Sequence, residues 1–303
     1  VGATFYTLAL AAHLLSVNLA ASLPWFALLT QVDDARQPAC DLSRSRRLAR
    51  ISMHCLLGGS LLGLSLGGLM WLLGRTEFLA IVPRFSYKIY WAITELGFFG
   101  ICMLGYQWLL PGKPPVTRAR HWGLGLLCVL SSTNLIYHFP PLFSVMKWAS
   151  QHPDQIAEMV GPREFRQLMF IDRQTFPLMV HFGLASLAVG GVFMLLLADR
   201  LGLRERGLGG TRTAATIAMV ATAAQMLVGP WLLLSLPTSS QHRLMGEDAV
   251  GTGTLLLSIV AAFSLLNQLA AMAFGEAKPR DARRAALCLL AITVLMTGTL
   301  VSV

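Results

Sequence analysis

Charge is scarce in this chain. Only 13% of its 303 residues are Asp, Glu, Lys or Arg, against roughly 25% in an ordinary soluble domain. Hydrophobic residues make up 55%, and the mean hydropathy is +0.61. That balance excludes a soluble globular enzyme and points to an integral membrane protein. Paired cysteines are lacking as well. Cys40, Cys55, Cys102, Cys128 and Cys288 form no C-x-x-C pair. No C-x-x-C-H occurs, so covalent c-type haem on this chain is not expected. Four of the five lie in apolar runs, where a thiol packs as a small hydrophobe. No H-x-x-x-H or paired Cys/His spacing exists, which disfavours zinc. No nucleic-acid-binding motif accompanies the net charge of +9, so the basic excess is read as membrane orientation and no nucleic-acid partner is expected. The first residue is Val rather than Met, and sequence upstream is expected. The first apolar run is too long for a signal-peptide core.

Long apolar runs are what the chain has in abundance. Eight of them are each long enough to cross a bilayer as helix. They lie near residues 3–30, 49–74, 87–110, 120–147, 175–198, 212–236, 248–274 and 284–302. The expected fold is an all-α integral membrane protein of eight transmembrane helices. Residues 1–147 would form a first four-helix bundle and 175–303 a second, with 148–174 as an outer connection. Sixteen of the 24 Lys and Arg residues fall in the connections after spans 1, 3, 5 and 7 or at their edges. The positive-inside rule puts that side in the cytoplasm and both termini outside. In the outer connection, Phe165, Leu168 and Met169 recur at helical spacing, predicting a short interfacial helix over 164–170. Pro140 and Pro141 predict a kink or break near the outer end of span 4.

Polar residues inside the spans are few, and each asks for a partner. His13 lies about ten residues into span 1 from outside, and Glu95 about eight into span 3, some 12–15 Å deep at roughly 1.5 Å per residue. His138 and His181 fall at a similar level in spans 4 and 5. His54 and His121 lie towards the cytoplasm; His152 and His242 fall in outer loops. Three histidines and a glutamate at one depth suit an axial ligand set for haem, held in a helix bundle. Hydrogen-bonded packing, or ion binding in a transporter, are the competing readings.

The order of these residues resembles the large, haem-bearing subunit of cytochrome bd-type quinol oxidases. AAHLLSVNLAASLPWFALL supplies His13, and ITELGFFG supplies Glu95. SSTNLIYHF carries a Ser/Asn/Leu cluster with Asn134. LMVHFGLASLAVGGVFML supplies His181, and HRLMGED supplies Arg243 and Met245. The resemblance implies cytochrome bd-like helical bundles and about two haem b groups. His13 and Glu95 would flank one iron, His181 and Met245 a second, with Arg243 near a propionate. His138 is this chain's own addition and a further haem-ligand candidate.

The departures shape the expected function. The connection between spans 6 and 7 is short, where the family has an extended quinol-binding loop. The Gly-Arg-Gln-Pro-Trp motif and the third-haem glutamate are missing. Met103 stands where the family has a second span-3 glutamate linked to proton delivery. The expectation is therefore a b-type haem subunit of a respiratory electron-transfer complex in the bacterial inner membrane. It would carry electrons between the quinone pool and a periplasmic c-type cytochrome or iron–sulfur subunit, beside other membrane subunits. A quinone is a further candidate cofactor, and lipid is the surrounding partner. The alternatives are a divergent oxygen-reducing terminal oxidase, and a non-haem transporter or assembly subunit.

Overall fold

The computed structural model describes residues 2–36, 42–203, 207–275 and 277–302. Cys40, Arg204 and Arg206 lie outside the described residues. Eight long helices dominate: α1 (Gly2–Ala35), α2 (Ser43–Leu72), α3 (Ser86–Leu109), α4 (Arg118–Gln151), α5 (Thr175–Leu196), α6 (Thr211–Ser235), α7 (Ala249–Phe274) and α8 (Pro279–Ser302). The shortest has 22 residues, about 33 Å at 1.5 Å per residue, enough to cross the hydrocarbon. All eight are long and apolar enough to span a membrane, and no strand occurs among the described residues. Eight crossings return both ends to one side, the outer side by the charge rule.

α1, α4 and α5 pack against one another in all three pairings and form the centre. α2 and α3 flank α1 and α4. α6, α7 and α8 continue round from α5, and α8 closes back on α1. Small residues let the central helices approach. A Cβ on Gly190 would strike Ser22 and come within 2.7 Å of the Phe26 ring; one on Gly191 would lie 2.6 Å from the Ala214 carbonyl. In lipid, where apolar burial gives helices little reason to associate, such close contact and interhelical hydrogen bonds supply the attraction. Ser186 Oγ donates to Asn18 Oδ1 at 2.8 Å across α5 and α1, and Ser52 Oγ donates to the Ala20 carbonyl at 2.9 Å across α2 and α1.

The cytoplasmic ends are tied by charge. Arg44 pairs with the fully buried Asp34 and also donates to the Gly202 carbonyl at 2.7 Å. This one guanidinium joins α1, α2 and the end of the α5 segment. Arg46 donates to the Leu110 carbonyl at 2.6 Å. Further in, Tyr106 Oη donates to the Ala27 carbonyl at 3.2 Å, and Gln31 Nε2 lies 3.0 Å from His121 Nδ1.

The outer connection is a folded cap. Its helix runs Pro162–Ile171, and Phe165, Leu168, Ile156 and Val160 bury against Phe85 and the outer turns of α4. Arg84 donates to the carbonyls of Pro153 (2.8 Å) and Ile156 (3.1 Å). Asp172 receives Ser144 Oγ at 2.5 Å, Thr175 Oγ1 at 2.8 Å and the Gln174 amide at 3.0 Å, fixing the start of α5. The cap explains a departure from the local sequence signal. α4 is not broken at Pro140 and Pro141 but runs on to Gln151. Each proline removes an amide donor, yet Leu142, Val145, Met146 and Ala149 beyond them are buried against the cap. That packing holds the last turns helical.

Candidate intramembrane His/Glu site

Each central helix carries one outer-half histidine: His13 on α1, His138 on α4, His181 on α5. Interhelical hydrogen bonds give their relative level. From the Asn18–Ser186 bond, five residues outward on α1 is His13, and five outward on α5 is His181, about 7.5 Å in each case. From the Gln31–His121 contact, eighteen residues outward on α1 is His13 and seventeen outward on α4 is His138. Glu95 on α3 joins that level directly, since its Oε1 lies 3.5 Å from His138 Nε2. One turn below His138, Asn134 Nδ2 donates to the Glu95 backbone carbonyl at 2.9 Å and locks α3 to α4. Lys88 lies seven residues, two turns, outward of Glu95 on the same face of α3, its ammonium 4.2 Å from the centre of the Phe165 ring.

The chemistry of each ring follows from its partners. His13 Nδ1 is 2.8 Å from the Gly59 carbonyl on α2. A carbonyl only accepts, so the proton sits on Nδ1 and the neutral ring's lone pair on Nε2. Among the described residues no hydrogen bond reaches that Nε2. Glycine makes the ring's seat: a Cβ on Gly63 would lie 3.0 Å from His13 Cε1. His181 Nε2 lies 3.4 Å from the Gln225 amide nitrogen of α6, while its Nδ1 is buried without a partner. With the amide oxygen turned to the ring, Nε2–H donates and Nδ1 presents a buried lone pair; turned the other way, Nδ1–H is a buried donor. Either state leaves one ring nitrogen unpaired, at a cost of about 1–3 kcal/mol.

The remaining candidates sit apart from this layer. Met245 is 69% exposed on the outer turn Arg243–Glu247, where Gly246 adopts φ +135°, a value that favours glycine. Arg243 shares that turn; its carbonyl accepts from Thr252 Oγ1 at 3.2 Å. Asp248 then caps α7 through the amides of Val250 and Gly251, both at 3.1 Å. The turn is thus anchored to α7, and the bundle does not enclose the Met245 thioether. His54 is exposed. His152 stacks on Trp148 at 4.4 Å in the cap. Met103 is fully buried in the main apolar core.

Among the described residues no three His, Cys, Asp or Glu side chains gather into a metal-binding group. The arrangement instead offers single ligand atoms from separate helices. Residues that depth counting passes over complete it: Gly59 and Gly63, which seat His13; Asn134, which sets α3 against α4; and Gln225, which faces His181. The glycine pair at i, i+4 on a spanning helix is a small-xxx-small signal that could have marked α2 as the partner of α1.

Compared with protein-family models and with curated proteins, the chain matches none.

Proposed function

We propose that this chain is a b-type haem subunit of a respiratory electron-transfer complex in a bacterial cytoplasmic membrane, passing electrons between the quinone pool and a redox partner on the outer side. The observation that carries the reading is the state of His13. Its Nδ1 is committed to a backbone carbonyl and its Nε2 is left free, the arrangement taken by histidines that bind a metal through the second nitrogen. His181, with a buried unpaired nitrogen at the same level, supports a second site. Of the donors, His13 and His181 fit. Glu95 fits through its second carboxylate oxygen, because the contact with His138 uses Oε1 alone. Met245 fits least, being exposed.

In this reading His13 and Glu95 would hold one haem b and His181 the other; Met245, exposed on the turn it shares with Arg243, does not fit as the second ligand of that haem. Haem supplies one-electron exchange; the protein supplies ligand identity and electrostatics. Gly59 orients His13 and fixes its tautomer. His138 and Asn134 hold Glu95 in place. A carboxylate ligand favours ferric iron, so a haem held by His13 and Glu95 would take the lower potential. The partner is a c-type cytochrome or iron–sulfur subunit, because the site lies in the outer half. A buried methionine at position 103, in place of a proton-carrying carboxylate, favours electron transfer over oxygen reduction.

The Glu95–His138 contact supports one other reading. A carboxylate and an imidazole facing each other in the membrane suit a non-haem transporter that binds an ion or proton. A pyridine haemochrome spectrum of the purified chain separates the two: about two haem b per chain are expected, and a folded protein without a Soret band would sink the haem reading. Carbon monoxide should leave the reduced spectrum unchanged; a shift would instead favour a terminal oxidase.

A further inference from the structure

At the cytoplasmic surface, far from the histidine layer, the ends of α5, α6 and α8 enclose a cavity of about 80 Å³. That is ample for a group larger than one water. Lys278 and Arg283 line it, with Asp199 as the one carboxylate among the lining residues. Thr211, the first residue of α6, also lines it. Thr211 is 7% exposed, and among the described residues no hydrogen bond reaches its hydroxyl. The first-turn amides of α6 have no partners within the helix. Next along, Arg212 donates through Nη2 to the Phe274 carbonyl at 3.3 Å, while its Nε is buried without a partner. Arg212 itself does not line the cavity, whose polar side is the Thr211 hydroxyl with the Lys278 and Arg283 cations, a set that binds a phosphoryl group. Its other wall is apolar, with Leu195 and Leu196 among its residues, and Leu196 is exposed.

We propose that this cavity binds a phosphoryl anion, supplied by the headgroup of an anionic phospholipid of the inner leaflet. The hydroxyl of Thr211 and the side chains of Lys278 and Arg283 hold the phosphate oxygens, and Leu196 lies beside an acyl chain. A basic pocket between helices on the cytoplasmic side suits such headgroups. The site is independent of the haem reading.

The test is native mass spectrometry of the full chain in detergent, titrated with phosphatidylglycerol or phosphatidylcholine. The unsubstituted chain should retain phosphatidylglycerol in preference to phosphatidylcholine. Lys278→Ala/Arg283→Ala should weaken retention about thirtyfold, each cation near the surface giving about a fivefold factor. Both side chains are exposed, so the fold should survive, and the unchanged haem or circular-dichroism spectrum checks that it does. Thr211→Val, which removes only the hydroxyl, should cost a smaller factor. Millimolar inorganic phosphate as competitor separates the sources. Displacement of the lipid marks free phosphate as the occupant, and retention marks the lipid; both support a phosphoryl site. Equal binding of the two lipids, or equal retention by the double variant, would overturn it.

Discussion

The three central helices and the five around them are built on different terms. In α1, α4 and α5, 44% of the most apolar window is buried within the protein; in α2, α6, α7 and α8 the figure is 17%, and in α3 22%. The flanking helices are greasy on most sides because lipid surrounds them. The central ones answer one another with small and polar residues: Ser186 donates to Asn18, and Gly190 makes room for Ser22 and Phe26. All three outer-half histidines fall on the central helices, and the glutamate of the layer reaches in from α3 to meet His138. Polar side chains in hydrocarbon are costly, and they collect where helices rather than lipid can answer them.

That contrast can be broken by substitution, beginning with the buried charge of α1. Asp34→Ala leaves the Arg44 guanidinium, 18% exposed, without its carboxylate; a loss of about 3 kcal/mol is expected, at the low end for a broken buried pair. His54→Ala on the exposed face of α2 should stay within about 0.5 kcal/mol. Thermal unfolding in detergent measures both, and comparable losses would erase the distinction between centre and flank.

Next in size is overpacking. Gly190→Val at the α1–α5 crossing should cost about 2 kcal/mol, since added methyls meet Ser22 and Phe26. Gly67→Val on α2 meets open space and should cost no more than a few tenths of a kcal/mol. Smaller again is the Asn18–Ser186 bond: a double-mutant cycle with Asn18→Ala and Ser186→Ala should give a coupling of about 0.6 kcal/mol, ordinary for a hydrogen bond between spanning helices. Gly63→Ala should leave stability nearly unchanged yet shift the haem spectrum, because its Cβ presses on the His13 ring. An unaltered spectrum would mean that the ring's seat does not matter.

The number of helices was legible because a run of twenty apolar residues has one physical reading. Span 4 reads past Pro140 and Pro141 to about residue 147, with a kink or break expected at the prolines. The helix is unbroken to Gln151, and the turns beyond the prolines hold through contacts with Phe165 and Leu168, some twenty-five residues away in sequence. Depth counting levelled His13, His138, His181 and Glu95, since rise per residue is nearly constant along a helix. It could not say which way each side chain turns. Side-chain contacts add that direction: Glu95 lies against His138, and His13 donates to the Gly59 carbonyl on α2. Met245 shows the opposite limit, a residue chosen by motif order that lies exposed on a turn.

The most direct test of the central claim is the pyridine haemochrome stoichiometry of the purified chain beside His13→Ala, His181→Ala and Glu95→Ala. The account predicts about two haem b per chain. One haem should be lost or spectrally altered with His13 or Glu95, and the other with His181, while circular dichroism keeps the helix content. Haem content and spectrum identical in all four proteins, or no haem in any of them, would contradict it.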